Sequence, residues 1–241
     1  MIEISVIIPI KDEEENILVL ADEIEMSVSS LGRKWECIWI DDGSIDKSFE
    51  KLKLLEKKEN SVHRVFQHEK CFGQSAALAS GFALARGKIF VTLDGDGQND
   101  PSCIPDLVKK LIEENADVVN GWREKRHDNV IRKLSSRIAN GSRNFFTGEK
   151  IRDVGCALRV MRKECVEKIS VFKGMHRFLP TLIRIAGYEK IFELPVKHRP
   201  RERGKTKYGV WNRLWVGIAD TMAVCWMKKR LVFPKLKKNL K

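Results

Sequence analysis

The feature that most constrains this chain is an alternation. Short runs rich in Val and Ile (Ile4 to Ile8, Cys37 to Ile40, Val62 to Phe66, Ile89 to Leu93, Val118 to Val119) are separated by segments of helical period at Glu14 to Ser30, Asp46 to Lys58, Gln74 to Ala85 and Pro101 to Glu114. Runs apolar at successive positions are buried on both faces, and strands that take turns with helices form a parallel sheet covered on each side. The expected fold is therefore α/β, with residues 1–121 as a Rossmann-like, nucleotide- and metal-binding half. Ligands of such sheets sit beyond the carboxyl ends of the strands. That rule selects Pro9 to Glu15, Asp41 to Asp46, Gln67 to Gln74 and Asp94 to Asp100, three of which carry several carboxylates.

After Gly121 the alternation weakens. A basic helical segment (Val130 to Phe146), a strand (Cys156 to Met161), a helix (Met175 to Ala186), a strand (Lys190 to Val196) and a basic loop are expected. With no repeat and no linker, residues 122–208 read as an acceptor half built onto the first, giving one domain over 1–208. Residues 209–241 read as an amphipathic helix and basic tail.

Charge divides along the same line. Residues 1–121 hold 14 basic against 23 acidic side chains, a net −9, and residues 122–241 hold 31 against 10, a net +21. An acidic half suits a divalent cation, and a basic half suits a phosphate-rich partner. Nucleic acid is disfavoured as that partner. The aromatics do not interleave with the cations, and the acidic half would repel a phosphate backbone. Six scattered cysteines without a C-x-x-C pair indicate reduced thiols rather than a disulfide framework or zinc site. The longest apolar stretch, Leu214 to Met227, carries Asp220 and falls short of the ~20 residues that cross a bilayer. The first residues lack the basic n-region of a secretory signal. The expected location is cytoplasmic.

Asp94-Gly95-Asp96-Gly97-Gln98 follows directly on the run IFVTL. Two carboxylates and an amide oxygen within one turn are hard ligands that suit Mg²⁺ or Mn²⁺; Asp and Gly are also the residues of an ordinary turn. Asp41-Asp42-Gly43-Ser44 offers Asp42 as a ligand for a ribose or base, and Asp46 as a helix cap. Glu14 and Glu15 suit the positive end of a helix whatever the function.

The ordered motifs SVIIPIKDEEEN, IDDGSID, GQSAALASGFALARG and LDGDGQNDP resemble the family 2 glycosyltransferases of GT-A fold. The later NGWRE, SSRIANG, DVGCALRVMRKE and RPRERGKTKYG are similar to the branch that works on polyprenyl phosphates, that of the dolichyl-phosphate mannosyltransferases. The resemblance implies inverting, metal-dependent transfer of a sugar from a UDP- or GDP-linked donor to a polyprenyl phosphate, peripheral on the inner face of a membrane. It places Pro9, Lys11, Glu13 and Asp42 around the nucleoside, Asp94 and Gly95 beside the ribose and diphosphate, and Asp96 and Gln98 on the metal. Arg123, Arg201 and Lys207 would surround the diphosphate or the acceptor phosphate, with Arg137 a further acceptor contact. Lys11 and Asp12 stand where the family commonly has an aromatic residue and Asn, so the base is not implied. Gly155-Cys156 likewise replaces a Ser/Gly-containing stretch.

A phosphate acceptor is already ionised near neutral pH and needs little or no general base. Asp153 then serves as a base, orients an arginine, or pairs with Arg152 or Arg159. If the acceptor were a glycan hydroxyl, the base role would be required. A nucleotidyltransferase is disfavoured, since no G-x-G-T-R-like loop follows the first run. The loop Arg199 to Tyr208 has the glycine and cations of an anion-binding lid or of a solvated surface loop. Beyond it Trp211, Trp215, Ile218, Met222 and Trp226 form one helical stripe ahead of Lys228-Lys229-Arg230. Such a stripe lies in an anionic membrane surface, packs on the enzyme's own core, or joins two subunits of a homo-oligomer.

Overall fold

In the computed structural model, the residues described are 1–124, 148–149, 151–200 and 210–233, the side chains of 210–215 excepted. Seven strands form one sheet in the order β3-β2-β1-β4-β6-β5-β7. The first half contributes β1 (Ile4–Ile10), α1 (Ile17–Ser29), β2 (Trp35–Asp41), α2 (Ser48–Glu56), β3 (His63–Gln67), α3 (Gln74–Leu84), β4 (Ile89–Thr92), a 3-10 turn (Pro101–Cys103), α4 (Ile104–Glu113) and β5 (Val118–Arg123). The second half contributes β6 (Arg159–Arg162), α5 (Lys163–Val166), a 3-10 turn (Met175–Arg177), α6 (Leu179–Ile185), β7 (Ile191–Val196) and α7 (Val210–Arg230).

Strands β3, β2, β1 and β4 pair in parallel; β2, β1 and β4 are buried on both faces, as strands inside such a sheet must be, and β3 forms the edge. Ile4, Val6 and Ile8 of β1 enter a core shared with Leu20 and Ile24 of α1 and Leu107 and Leu111 of α4. Ile7 points the other way, into a core with Leu78 of α3, Phe90 of β4 and Leu179 of α6. The two-residue period of a strand thus sorts its side chains between two helical layers. On α4 the buried Ile104, Leu107, Val108 and Leu111 fall at the 3-4-7 spacing of one face. The 3-10 turn that leads into it is capped by Asp100, whose carboxylate accepts the Ser102 N–H at 3.0 Å, with Pro101 the first residue of that turn.

The expected α/β class and mostly parallel sheet are observed, with one inversion. Strand β6 is antiparallel to both β4 and β5, while β5 and β7 are parallel. The second half therefore does not sit beside the sheet; β6 lies within it.

Several boundaries shift. Helix α1 begins at Ile17 rather than Glu14, because Asp12 takes a left-handed φ of 45° and Glu13 and Asn16 close a turn. Helix α2 begins at Ser48 because the Asp46 carboxylate takes the Ser48 and Glu14 N–H groups. Strand β5 runs on through Gly121-Trp122-Arg123, held by β7. The expected helix at 175–186 splits into a 3-10 turn and α6. The expected helix at 130–146 and the loop at 201–208 lie outside the described residues.

Candidate active site

The four loops selected from the sequence meet at one edge of the sheet. Gly95 brings the turn after β4 against the end of β1: a Cβ there would lie 2.2 Å from Ile10 Cδ1 and 3.2 Å from Pro9 O. Gly43 seats the loop after β2 on that after β3, since a Cβ would lie 2.7 Å from the Lys70 carbonyl carbon. Lys11 Nζ donates to Gly43 O, and Asp12 N–H donates to Ser44 Oγ at 2.8 Å. Pro9, Lys11 and Asp42 thus share a wall. Glu13 turns its carboxylate to Asn16 Nδ2 at 2.8 Å, at the start of α1.

Asp42 is buried, and its oxygens accept from four donors: His68 Nδ1 at 2.8 Å, Phe72 N–H at 2.8 Å, Gly73 N–H at 2.7 Å and Cys71 Sγ at 3.2 Å. Burial by itself would raise its pKa; the hydrogen bonds from His68, Phe72, Cys71 and Gly73 outweigh it and hold the carboxyl below its ordinary value. In this geometry Asp42 fixes the loop 68–73.

Asp94, half-buried on the cleft floor, accepts from Gln74 Nε2 of α3 at 2.6 Å. Burial and the neighbouring Asp96 push its carboxyl up to about 7, against the pull of Arg159 and Arg123. A carboxylate whose proton affinity is raised by a neighbouring carboxylate marks a site short of positive charge. Asp96 accepts the Gln98 N–H at 3.1 Å, and Gly97 turns the chain with φ +70°. Gln98 donates its amide nitrogen to Arg199 O at 3.3 Å, which leaves the amide oxygen as its acceptor end. Asp94, Asp96 and Gln98 supply oxygen donors only, the set that fits Mg²⁺ or Mn²⁺ with water and phosphate oxygens completing the shell. Among the described residues no cluster of three or more His, Cys, Asp or Glu could hold a metal by itself. A cavity of about 130 Å³ opens against Asp96 and Gly97, walled by α1 and by Arg199.

The antiparallel setting of β6 explains how the second half reaches this edge. In the β4–β6 ladder Thr92 pairs with Arg159, so the residues before β6 arrive where β4 ends. Asp153 there receives Arg123 bidentately, Nε to Oδ2 at 2.6 Å and Nη2 to Oδ1 at 2.9 Å, and accepts the Gly155 N–H at 3.2 Å. Of the roles open from sequence, orientation of an arginine is the one this geometry has. It departs from the expectation of Asp153 as a catalytic base, and the partner is Arg123 rather than Arg152 or Arg159. Both carboxylate oxygens are committed to a guanidinium.

Arg159, expected only as a candidate partner of Asp153, has a different set of contacts. It is buried, and donates to Asn120 Oδ1 at 2.7 Å, Val154 O at 2.6 Å and His176 O at 3.0 Å. Burial lowers its pKa, while the charges of Asp94 and Asp153 are among those that raise it. The His176 ring in turn meets Ser75 Oγ of α3 at 2.9 Å. Gln74 and Ser75 lie in the motif GQSAALASGFALARG and Asn120 opens NGWRE, each without an assigned role; His176 lies in none of the motifs. Arg137, Arg201 and Lys207 lie outside the described residues.

The family model for glycosyl transferase family 2 matches residues 5–170. The chain belongs to glycosyl transferase family 2. Among relatives within the family, dodecaprenyl-phosphate galacturonate synthase of Rhizobium johnstonii is 34% identical over 92% of this chain and 66% of that protein. Undecaprenyl-phosphate 4-deoxy-4-formamido-L-arabinose transferase of Photorhabdus laumondii is 37% identical over 85% of this chain and 62% of that protein. The chain thus spans a little under two thirds of the length of these curated relatives. In fold it is similar to glucosyl-3-phosphoglycerate synthase of Mycobacterium tuberculosis, solved in complex with Mn²⁺ and UDP-glucose, at a TM-score of 0.65, 21% identity, and coverage of 94% of this chain and 78% of that one. The family 2 architecture is the GT-A fold expected from the motifs.

Proposed function

We propose that this protein transfers a sugar, with inversion, from a nucleotide diphosphate to a polyprenyl phosphate at the cytoplasmic face of a membrane. The observation that carries the reading is the pairing, at one sheet edge, of the Asp94–Gln98 oxygen turn with an arginine fixed by Asp153. The relatives' names, which specify dodecaprenyl and undecaprenyl phosphate, support the acceptor class.

Breaking the sugar–diphosphate bond leaves negative charge on the departing nucleotide, and stabilising that charge where it develops lowers the barrier. A Mg²⁺ or Mn²⁺ held by Asp96 and Gln98, with Asp94 beside it, would supply a Lewis acid for the diphosphate. Arg123 is presented by Asp153 as a planar, always-charged donor for phosphate oxygens. Arg137, Arg201 and Lys207 are assigned to the diphosphate and the acceptor phosphate. The ionised acceptor oxygen attacks the anomeric carbon directly, so no base is required. A glycan hydroxyl acceptor would require Asp153 as that base, and its bidentate engagement with Arg123 weighs against this.

Helix α7 supports the membrane placement. Its inner face packs on the domain through the buried Val224 and through Met227, and Asp220 pairs with Arg177 at 2.8 Å. The described part of the stripe picked out in the sequence faces outward: Ile218, Met222 and Trp226 are 46%, 68% and 60% exposed, beside the exposed Lys228, Lys229 and Arg230. The side chains of Trp211 and Trp215 lie outside the described residues. An apolar stripe beside cations fits an anionic bilayer surface. A second copy of the chain would be the other occupant. Among the described residues no helix is long and apolar enough to cross a membrane.

The test supplies purified protein with Mn²⁺, labelled UDP- and GDP-sugars, and undecaprenyl or dolichyl phosphate, and follows partition into organic solvent. Organic-phase label that disappears in Asp96→Ala is expected. Nucleotide release only with a soluble glycan would overturn the acceptor assignment.

A further inference from the structure

We infer that Phe72 is the stacking platform for the donor's nucleobase; this rests on the nucleotide-sugar reading above. Lys11 stands where an aromatic residue would serve that purpose, and its ammonium is tied to Gly43 O and lies 3.6 Å from Asp12. Across the four loops at the carboxyl edge of β1 to β4, Phe72 is the one Phe, Tyr or Trp. It is 49% exposed, on the loop between β3 and α3.

The ring stands on a rigid support. Its own N–H and that of Gly73 are pinned by the buried Asp42. Gly43 packs against the Lys70-Cys71 backbone, closer than any side chain would allow. Beneath the ring His68 is held from both nitrogens, by Asp42 at 2.8 Å and Ser80 Oγ at 2.9 Å, and meets Phe72 edge-on at 84° with centroids 5.5 Å apart. Lys70 Nζ lies over the ring at 5.4 Å from its centroid, an exposed and flexible ammonium that a stacking base displaces toward the negatively charged diphosphate. A pre-fixed aromatic face loses little entropy on binding, and every base has a π-face to lay on it. Because the four donors on Asp42 occupy its carboxylate in this geometry, the contact recognises a base by shape and stacking. Uracil and guanine nucleotides both gain from it.

Calorimetric titration of UDP, GDP and inorganic pyrophosphate, each with Mn²⁺, into wild type, Phe72→Ala and Phe72→Tyr tests this. For whichever nucleotide wild type binds, Phe72→Ala is expected to weaken affinity roughly ten-fold, Phe72→Tyr to restore it, and pyrophosphate to bind all three alike. Unchanged nucleotide affinity in Phe72→Ala overturns the assignment. An equal loss for pyrophosphate also overturns it, since that reports collapse of the loop rather than a lost stack. Wild type that is folded yet binds neither nucleotide refutes the donor reading itself, an outcome distinct from both.

Discussion

Asp153→Asn is the perturbation that separates a positioning carboxylate from a catalytic base. In the wild type Asp153 holds Arg123 through two charge-assisted bonds of 2.6 and 2.9 Å, with the two side chains 8% and 14% exposed. Asparagine keeps one acceptor and turns an NH₂ toward a guanidinium that can only donate. One charge-assisted bond is then lost, about 1.5–3 kcal/mol net at low exposure. If that energy is what aligns Arg123 on the departing diphosphate, kcat/KM falls roughly 10- to 150-fold, at about 1.4 kcal/mol per decade. The assay is transfer of labelled sugar into organic-extractable product, for Asp153→Asn, Arg123→Ala and the double variant, with thermal unfolding of each recorded alongside. Because Asp153 acts through Arg123, the double variant should be no worse than Arg123→Ala, a coupling of about 2 kcal/mol. The acid limb of the pH–rate profile should stay in place. Additive losses, together with disappearance of that limb in Asp153→Asn, would show a base and refute the reasoning.

Asp42→Asn should lower stability at pH 7 by about 1–3 kcal/mol by disrupting a carboxylate with four donors. Since the folded pKa is depressed, the stabilisation is present above the unfolded value near ~3.9 and lost as pH falls through the folded one, so wild-type and variant unfolding curves should converge below about pH 4. Gly81→Ala would place a Cβ 2.3 Å from Cγ2 of the fully buried Ile7; a fall of about 1–3 kcal/mol in calorimetric stability is expected despite alanine's better helix propensity. Replacing Lys228, Lys229 and Arg230 together by Gln should weaken sedimentation with anionic vesicles roughly a hundred-fold and leave the weak binding to neutral vesicles unchanged.

The first half was legible because each of its elements carries its own signal. Strands β1 and β2 are apolar on both faces, α4 shows a clean stripe, and the carboxylates that end β2 and β4 are local in sequence. Boundaries were legible only where the residue that sets them acts locally. The start of α1 depends on Asp12 and Ser44, thirty-two residues apart, so Glu14 looked helical when it lies within the turn that Glu13 and Asn16 close. The same limit hid the partner of Asp153. Arg152 and Arg159 are near in sequence, but Arg123 is thirty residues away, and it becomes the neighbour because β5 and β6 are adjacent strands. From the sequence Arg159 was only a candidate partner of Asp153. Its role follows from three neutral acceptors that only the folded chain assembles.

The reversed strand also accounts for the charge asymmetry. A parallel strand beside β4 would bring to the catalytic edge the residues that follow it, here Lys163 onward. Because β6 is antiparallel, the edge receives the residues that precede it, Asp153 to Arg159, and with them a buried guanidinium and the carboxylate that orients Arg123. The acidic half alone would gather Asp94 and Asp96 with no fixed cation of its own nearby. The basic half alone would have cations but no oxygen cluster to set the diphosphate against them. Inserting one antiparallel strand joins the two within a single sheet, at the point where charge on a departing diphosphate would have to be met.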